Sequence, residues 1–234
     1  MSAWQGEVHV TDDPAADAAE RLTKAAAAGQ HICLTGGSTP KAAYELAAGA
    51  DVDWSSATLW FGDDRCVPPD HEFSNYAMAE ATLLDRIAGG QPTVHRIEGE
   101  LGPAEGAAAY ERTLASVFGD DLPEFDLLFL GLGPDAHTAS LFPGADQLGE
   151  RERRAVGVEE PGMAPLVSRV TLTLPVLNAA RAVVFLVSGA DKADAVARAF
   201  SGRPDPNAPA SLVAPTAGSL TLVADPPAVE RLGS

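Results

Sequence analysis

Cysteine, lysine and long apolar runs are scarce in this sequence. Its two cysteines, Cys33 and Cys66, stand far apart and in no metal-like spacing, so a disulfide framework is not indicated. Both read as packed rather than reactive. No apolar segment reaches the roughly 18–20 residues that span a bilayer. The opening residues 1–7 lack the basic and apolar regions of a signal peptide, so the expected compartment is the cytoplasm. Lysine occurs three times, at Lys24, Lys41 and Lys192, in a chain of net charge −17. That balance argues against nucleic acid and anionic membranes as partners, since both reward basic patches. Solubility alone accounts for the acidity. It also means that an anionic ligand would need a few cations gathered in one cleft, so the lysine positions carry information.

What is present is ordinary for a globular protein: 234 residues, 46% apolar and 21% charged, enough to bury a full core. Strand and helix patterns alternate. Strands are expected at Glu7–Val10, His31–Thr35, Thr58–Gly62, Val94–Ile97, Phe125–Leu130, Val170–Leu174, Ala182–Val187 and Ser219–Ala224. Helices are expected from Pro14 towards Gly29, over Pro40–Ala48, Asn75–Ala88 and Pro103–Phe118, near Pro175, and over Gly189–Phe200. Proline early and glycine at the stop mark the first of these. Apolar strands alternating with helices predict an α/β fold with a mainly parallel sheet covered by helices on both faces. No linker demands a second domain, so residues 1–234 are read as one.

In open parallel sheets, ligands bind outside the C-terminal ends of the strands. Here four strand ends carry chemistry: Thr35-Gly36-Gly37-Ser38-Thr39-Pro40-Lys41, Gly62-Asp63-Asp64-Arg65, Gly131-Leu132-Gly133-Pro134-Asp135-Ala136-His137, and Ser188-Gly189-Ala190-Asp191-Lys192. Their convergence is the strongest signal in the chain. The Gly36-Gly37 turn is either a tight turn capped by Ser38 or Thr39, with proline opening the helix, or a cradle offering backbone N–H groups and a helix N-terminus to a phosphate. It has neither the Walker spacing nor the dinucleotide fingerprint. Lys192, like Lys41, sits in a first helical turn, where a cation opposes the macrodipole. A phosphate shared between the two strand ends would explain both, whereas Asp191 could simply neutralise Lys192. Arg65 is either a local ion pair or a fork for an oxyanion or phosphate, braced by Asp63 or Asp64. His137 is the only one of five histidines at such a strand end. With Asp135 two residues before it, general base work is the better reading, since histidine titrates near pH 6.5.

The blocks "LTGGSTP", "FGDDRCVPPDHEFSNYAMA", "GLGPDAHTASLFPG", "SGADKADAV" and "PASLV" resemble, in that order, those of the 6-phosphogluconolactonases, a family that also holds glucosamine-6-phosphate deaminase. The resemblance implies a Rossmann-like α/β domain without nucleotide, needing no metal or organic cofactor. It implies hydrolysis of 6-phospho-D-glucono-1,5-lactone to 6-phospho-D-gluconate in the oxidative pentose phosphate pathway. Carried over, the general base falls on His137, its preceding aspartate on Asp135, and the arginine with its leading acid on Arg65 and Asp63. The glycine turn falls on Gly36 and Gly37, with Ser38 and Thr39 following, and the lysine after Ser-Gly falls on Lys192. Asp64 stands where glutamate is more usual, and Ala136 where glycine is usual. If that position needs a positive φ, alanine there is strained; otherwise the loop differs in shape.

The expected mechanism has His137 activate water for attack on the lactone carbonyl, with Asp135 orienting the ring. Arg65 or a backbone N–H near Gly133 would receive the developing charge. The glycine turn and Lys192, with Arg65 as a further candidate, would hold the phosphate. The expected partner is a small phosphosugar lactone and the expected state a monomer. The deaminase reading meets tyrosine expected at Arg65 and a different sequence after the histidine. A phosphosugar sensor would need a DNA-binding segment, for which this reading finds no room, and a binding-only member is separable by catalytic assay.

Overall fold

The computed structural model describes Trp4 and residues 6–200 and 202–233; of the opening stretch discussed above, residues 1–3 and 5 lie outside them. The first helix shows how locally the elements are specified. Pro14 opens α1 (Pro14–Ala27), and Asp13 caps it by accepting the Ala16 N–H at 3.0 Å. The strands β1 (Glu7–Val10), β2 (His31–Leu34), β3 (Thr58–Phe61), β5 (Thr93–Val94), β6 (Leu127–Leu130), β9 (Ala182–Val187) and β10 (Ser219–Ala224) form a seven-stranded sheet in the order β1-β10-β9-β6-β2-β3-β5. Every pairing in it is parallel. All four residues of β6 are buried, as sandwiched strands require.

The strand order locates the crevice before any side chain is considered. From β2 the chain moves outward to β3 and β5; from β6 it moves the other way, to β9 and β10. Right-handed crossovers therefore place α1, α2 (Ser38–Ala48) and α3 (Asn75–Thr82) on one face. They place α4 (Pro103–Phe118), α5 (Leu174–Ala179) and α6 (Ala193–Phe200) on the other. The direction reverses between β2 and β6, which is the switch point where ligands bind in such sheets. Beyond that point two buried tyrosines satisfy backbone where the ladder runs out. Tyr44 accepts the Thr35 N–H at 3.0 Å and donates to its carbonyl at 2.9 Å, and Tyr110 does the same for Phe61 at 3.0 and 2.9 Å. Tyr110→Phe strands both Phe61 groups in the core and is expected to cost roughly 2–4 kcal/mol in urea denaturation, with an unaltered m-value. An unchanged midpoint would show that water replaces the hydroxyl.

A second sheet departs from the sequence reading. Residues 63–65, read as a loop start, form β4 (Asp63–Arg65). With β7 (Ala155–Val158) and β8 (Arg169–Leu172) it makes an antiparallel sheet in the order β4-β8-β7. An Asp-Asp-Arg strand carries no apolar signal, so its pairing had to come from tertiary contact. The expected helix to Ala88 ends at Thr82, whose hydroxyl turns back onto the Met78 carbonyl at 2.6 Å; a single 3₁₀ turn, Leu84–Arg86, follows. Among the described residues no helix is long and apolar enough to cross a membrane.

Candidate active site

At the switch point lies a cleft of about 250 Å³. Gly36, Gly37, Ser38, Thr39, Asp63, Arg65, His137 and Lys192 all line it, and Asp135 stands immediately behind His137. Lys41 does not; it is exposed on α2, so a phosphate bridging both lysines is not what the fold provides.

The glycine turn enters α2 without a capping side chain. Gly37, at φ 121°, is the cap residue, and no side chain bonds the first turn. Of the two readings of this turn, the one in which Ser38 or Thr39 caps and Pro40 opens the helix does not hold: both hydroxyl residues lie inside the first turn, facing the cleft. The open N–H groups and the helix dipole make an anion cradle. Gly36 has its own reason: a Cβ there would fall 2.1 Å from Asn75 Oδ1. Across the cleft, Lys192 ends a 3₁₀ turn (Ala190–Lys192) and donates its ammonium to the Leu132 carbonyl at 3.0 Å. That bond, rather than Asp191, holds the lysine at the cleft wall.

The loop after β6 is closed on itself. Gly133 N–H donates to the His137 carbonyl at 2.9 Å, and Ala136 N–H to the Gly133 carbonyl at 2.9 Å. Ala136 sits at φ 64°, so the left-handed turn is kept despite its methyl, at a cost of roughly 1–2 kcal/mol. Ala139, at φ 48°, is a second such residue. The Ala136 carbonyl accepts the Ala210 N–H at 3.0 Å, so the "PASLV" segment braces this turn from behind. His137 Nδ1 lies 2.6 Å from Asp135 Oδ1, which also accepts the His137 backbone N–H at 3.1 Å. Burial opposes the charge on Asp135, but these bonds from His137 hold its carboxyl below the usual range. With Nδ1–H committed to Asp135, Nε2 is the basic nitrogen. The ring rests on Phe142, with centroids 4.6 Å apart. The other histidines serve the scaffold: His9 meets Asp17, His31 accepts from Trp60, His71 accepts from the Phe73 N–H, and His95 stacks on Trp60.

The acids beside Arg65 do not brace it. Its guanidinium donates to the Phe73 carbonyl at 2.7 Å, and among the described residues it forms no ion pair with Asp63 or Asp64. Asp63, buried in the wall, accepts from Ser140 Oγ at 2.6 Å and from the Asn75 amide at 3.3 Å. Asp64, 2% exposed, accepts the N–H groups of Arg65, Asn75 and Tyr76 and the Ser74 hydroxyl, tying the start of α3 to β4. Burial pushes its carboxyl up to about 6, ahead of the lowering pull of the Asn75, Arg65 and Tyr76 N–H groups. An unfolded aspartate titrates near 3.9. Between the two values the folded chain keeps a proton the unfolded chain has lost, so stability falls as pH rises through that window and is level above it. The difference amounts to about 3 kcal/mol. Wild type should therefore lose stability relative to Asp64→Asn between about pH 4 and pH 6, followed by denaturation at several pH values; a gap independent of pH would refute this.

Sequence reasoning missed Arg169 and Asn75, both of which line the cleft. Asn75 was visible only as a helix start. Arg169 opens a strand rather than following one, and only the small sheet brings it in. It is 2% exposed, donates to the Met163 and Pro165 carbonyls at 2.9 and 3.2 Å, and lies over the Phe142 ring at 5.2 Å. Burial pulls its guanidinium below the usual range, against Asp63. Cys66 lies outside the lining, and burial pushes its thiol up.

Comparison with known proteins places the sequence and the fold. A profile of the family described as glucosamine-6-phosphate isomerases/6-phosphogluconolactonase matches residues 7–222. A 6-phosphogluconolactonase of Synechocystis sp. is 39% identical over 219 residues, 91% of this chain and 89% of the relative. One of Bos taurus is 38% identical over 218 residues, 93% of this chain and 83% of the relative. The solved structure of a 6-phosphogluconolactonase from Trypanosoma cruzi superposes with a TM-score of 0.87 at 28% identity, covering 100% of this chain and 99% of that one. By sequence and by fold, the chain belongs to the glucosamine-6-phosphate isomerase/6-phosphogluconolactonase family.

Proposed function

We propose that this protein hydrolyses 6-phospho-D-glucono-1,5-lactone to 6-phospho-D-gluconate, the hydrolytic step of the oxidative pentose phosphate pathway, with His137 as general base. The observation that carries the reading is the 2.6 Å contact between His137 Nδ1 and Asp135 at a cleft whose opposite wall is an uncapped helix N-terminus. Nε2 takes a proton from water as the water oxygen bonds to the carbonyl carbon. The carbonyl electrons move onto oxygen, then return to break the bond to the ring oxygen, which leaves with the proton from the imidazolium. The new carboxylic acid ionises to solvent. Asp135 steadies the imidazolium through the charged intermediate.

The phosphate is bound by the N–H groups around Gly37, Ser38 and Thr39, with Lys192, which holds the distant carbonyl against the water. Asp63 acts by fixing Ser140 and Asn75. The Gly133 N–H, already bonded to the His137 carbonyl, is not free for the oxyanion, so that role goes to Arg65. In this reading residues 1–234 act as one domain, a cytoplasmic monomer whose partner is the phosphosugar lactone. The test is hydrolysis of the lactone generated in place, with the spontaneous rate subtracted. A wild-type rate at background, with the sugar phosphate still bound, would replace the enzyme reading with a binding role.

A further inference from the structure

Arg65 and Arg169 are partners across the antiparallel pair of β4 and β8, directly opposite in register. Residues so placed project to the same side, and like charges there are destabilising. Both side chains line the cleft. Each has a buried Nε with no hydrogen-bond partner among the described residues. Among the described residues neither guanidinium forms an ion pair with a carboxylate, and two such cations side by side on one cleft wall point to an anion received between them.

Which anion follows from the surroundings of Arg169. One of its terminal nitrogens lies 3.5 Å from Ser140 Oγ, three residues beyond His137. Its guanidinium and the His137 imidazole rest on the same Phe142 ring. The cradle at Gly37, by contrast, belongs to β2 and α2. We propose that Arg169 is a catalytic residue which, with Arg65, binds the reacting carboxyl end of the ligand, holding the oxyanion in the transition state and the carboxylate in the product. The proposal rests on the lactonase reading above and adds to it the group that answers Arg65. Two forks held by backbone carbonyls, at Phe73 for Arg65 and at Met163 and Pro165 for Arg169, are oriented before the ligand arrives. That is the condition under which charge stabilisation counts most.

Binding selectivity tests this. Calorimetric titration would compare 6-phosphogluconate, which carries phosphate and carboxylate, with glucose 6-phosphate, which carries the phosphate alone. In Arg169→Gln, affinity for 6-phosphogluconate is expected to fall about tenfold or more, as for loss of a charge-assisted pair, while glucose 6-phosphate binding stays within about twofold. Arg169→Lys keeps the charge and the buried stem but lacks the fork; it is expected to show the same selective loss and covers the case in which the glutamine variant does not fold. Equal losses for both ligands would overturn the proposal by placing Arg169 on the phosphate. Unchanged affinities in a folded variant would overturn it by making the residue structural. A wild type that hydrolyses no lactone yet shows this Arg169-dependent preference would refute the enzyme reading and leave the carboxylate site standing.

Discussion

Replacing His137 with alanine is expected to lower lactone hydrolysis by about 10²–10⁴ and to leave 6-phosphogluconate binding nearly intact. The loss should appear in kcat, since a general base acts in the transition state and not in holding the phosphate. Among the described residues no free carboxylate lines the cleft to replace it: Asp135 stands behind the ring rather than in the lining, and Asp63 is occupied by Ser140 and Asn75. Glucose 6-phosphate affinity serves as the control for an intact cradle. A variant that keeps the wild-type excess over background would move the base elsewhere and leave His137 as a wall of the cleft.

Gly133→Ala should do nearly as much damage without touching an ionisable group. A Cβ on Gly133 would stand 2.0 Å from His137 Nδ1 and 2.8 Å from Asp135 Oδ1. The Gly133 backbone is not among the positive-φ glycines, so alanine is conformationally acceptable there and the strain falls on the imidazole. The ring must swing away, breaking its bond to Asp135, and a displacement of that size at a reacting group costs on the order of 10² in rate. The discriminating measurement is a double-mutant cycle. If the methyl acts through the histidine, adding Gly133→Ala to His137→Ala costs no further rate. A further loss in the double variant would mean that the loop itself had moved.

Much of this was legible in the sequence because parallel strands and their turns are specified locally. The runs at Ala182–Val187 and Ser219–Ala224 and the helix at Pro103–Phe118 have the expected bounds. The candidate site was legible for the same reason, since each strand end carries its own chemistry on consecutive residues. What stayed hidden depends on tertiary contact. Asp63-Asp64-Arg65 is a strand only because β8 lies beside it. Arg169 joins the cleft through that pairing, not through any turn of its own. No spacing shows, either, that the Gly133 N–H, near which the sequence leaves one of two oxyanion donors open, is spent within the loop. Local reading named Arg65 but gave it the wrong support, where a backbone carbonyl takes the place of two adjacent carboxylates.

The sheet order also bears on how the chain reaches this state. β1 has one neighbour, β10, and β10 fills the space between β1 and β9. On the ribosome, β1 therefore waits for β10 before it has, among the described residues, a ladder to join. The turn that carries His137 likewise waits for Ala210, made some seventy residues later, to bond the strained Ala136. Such long-range pairings close slowly. The nascent chain can form the glycine turn into α2 early, but the turn of His137 is secured only when nearly all of the sheet is in place.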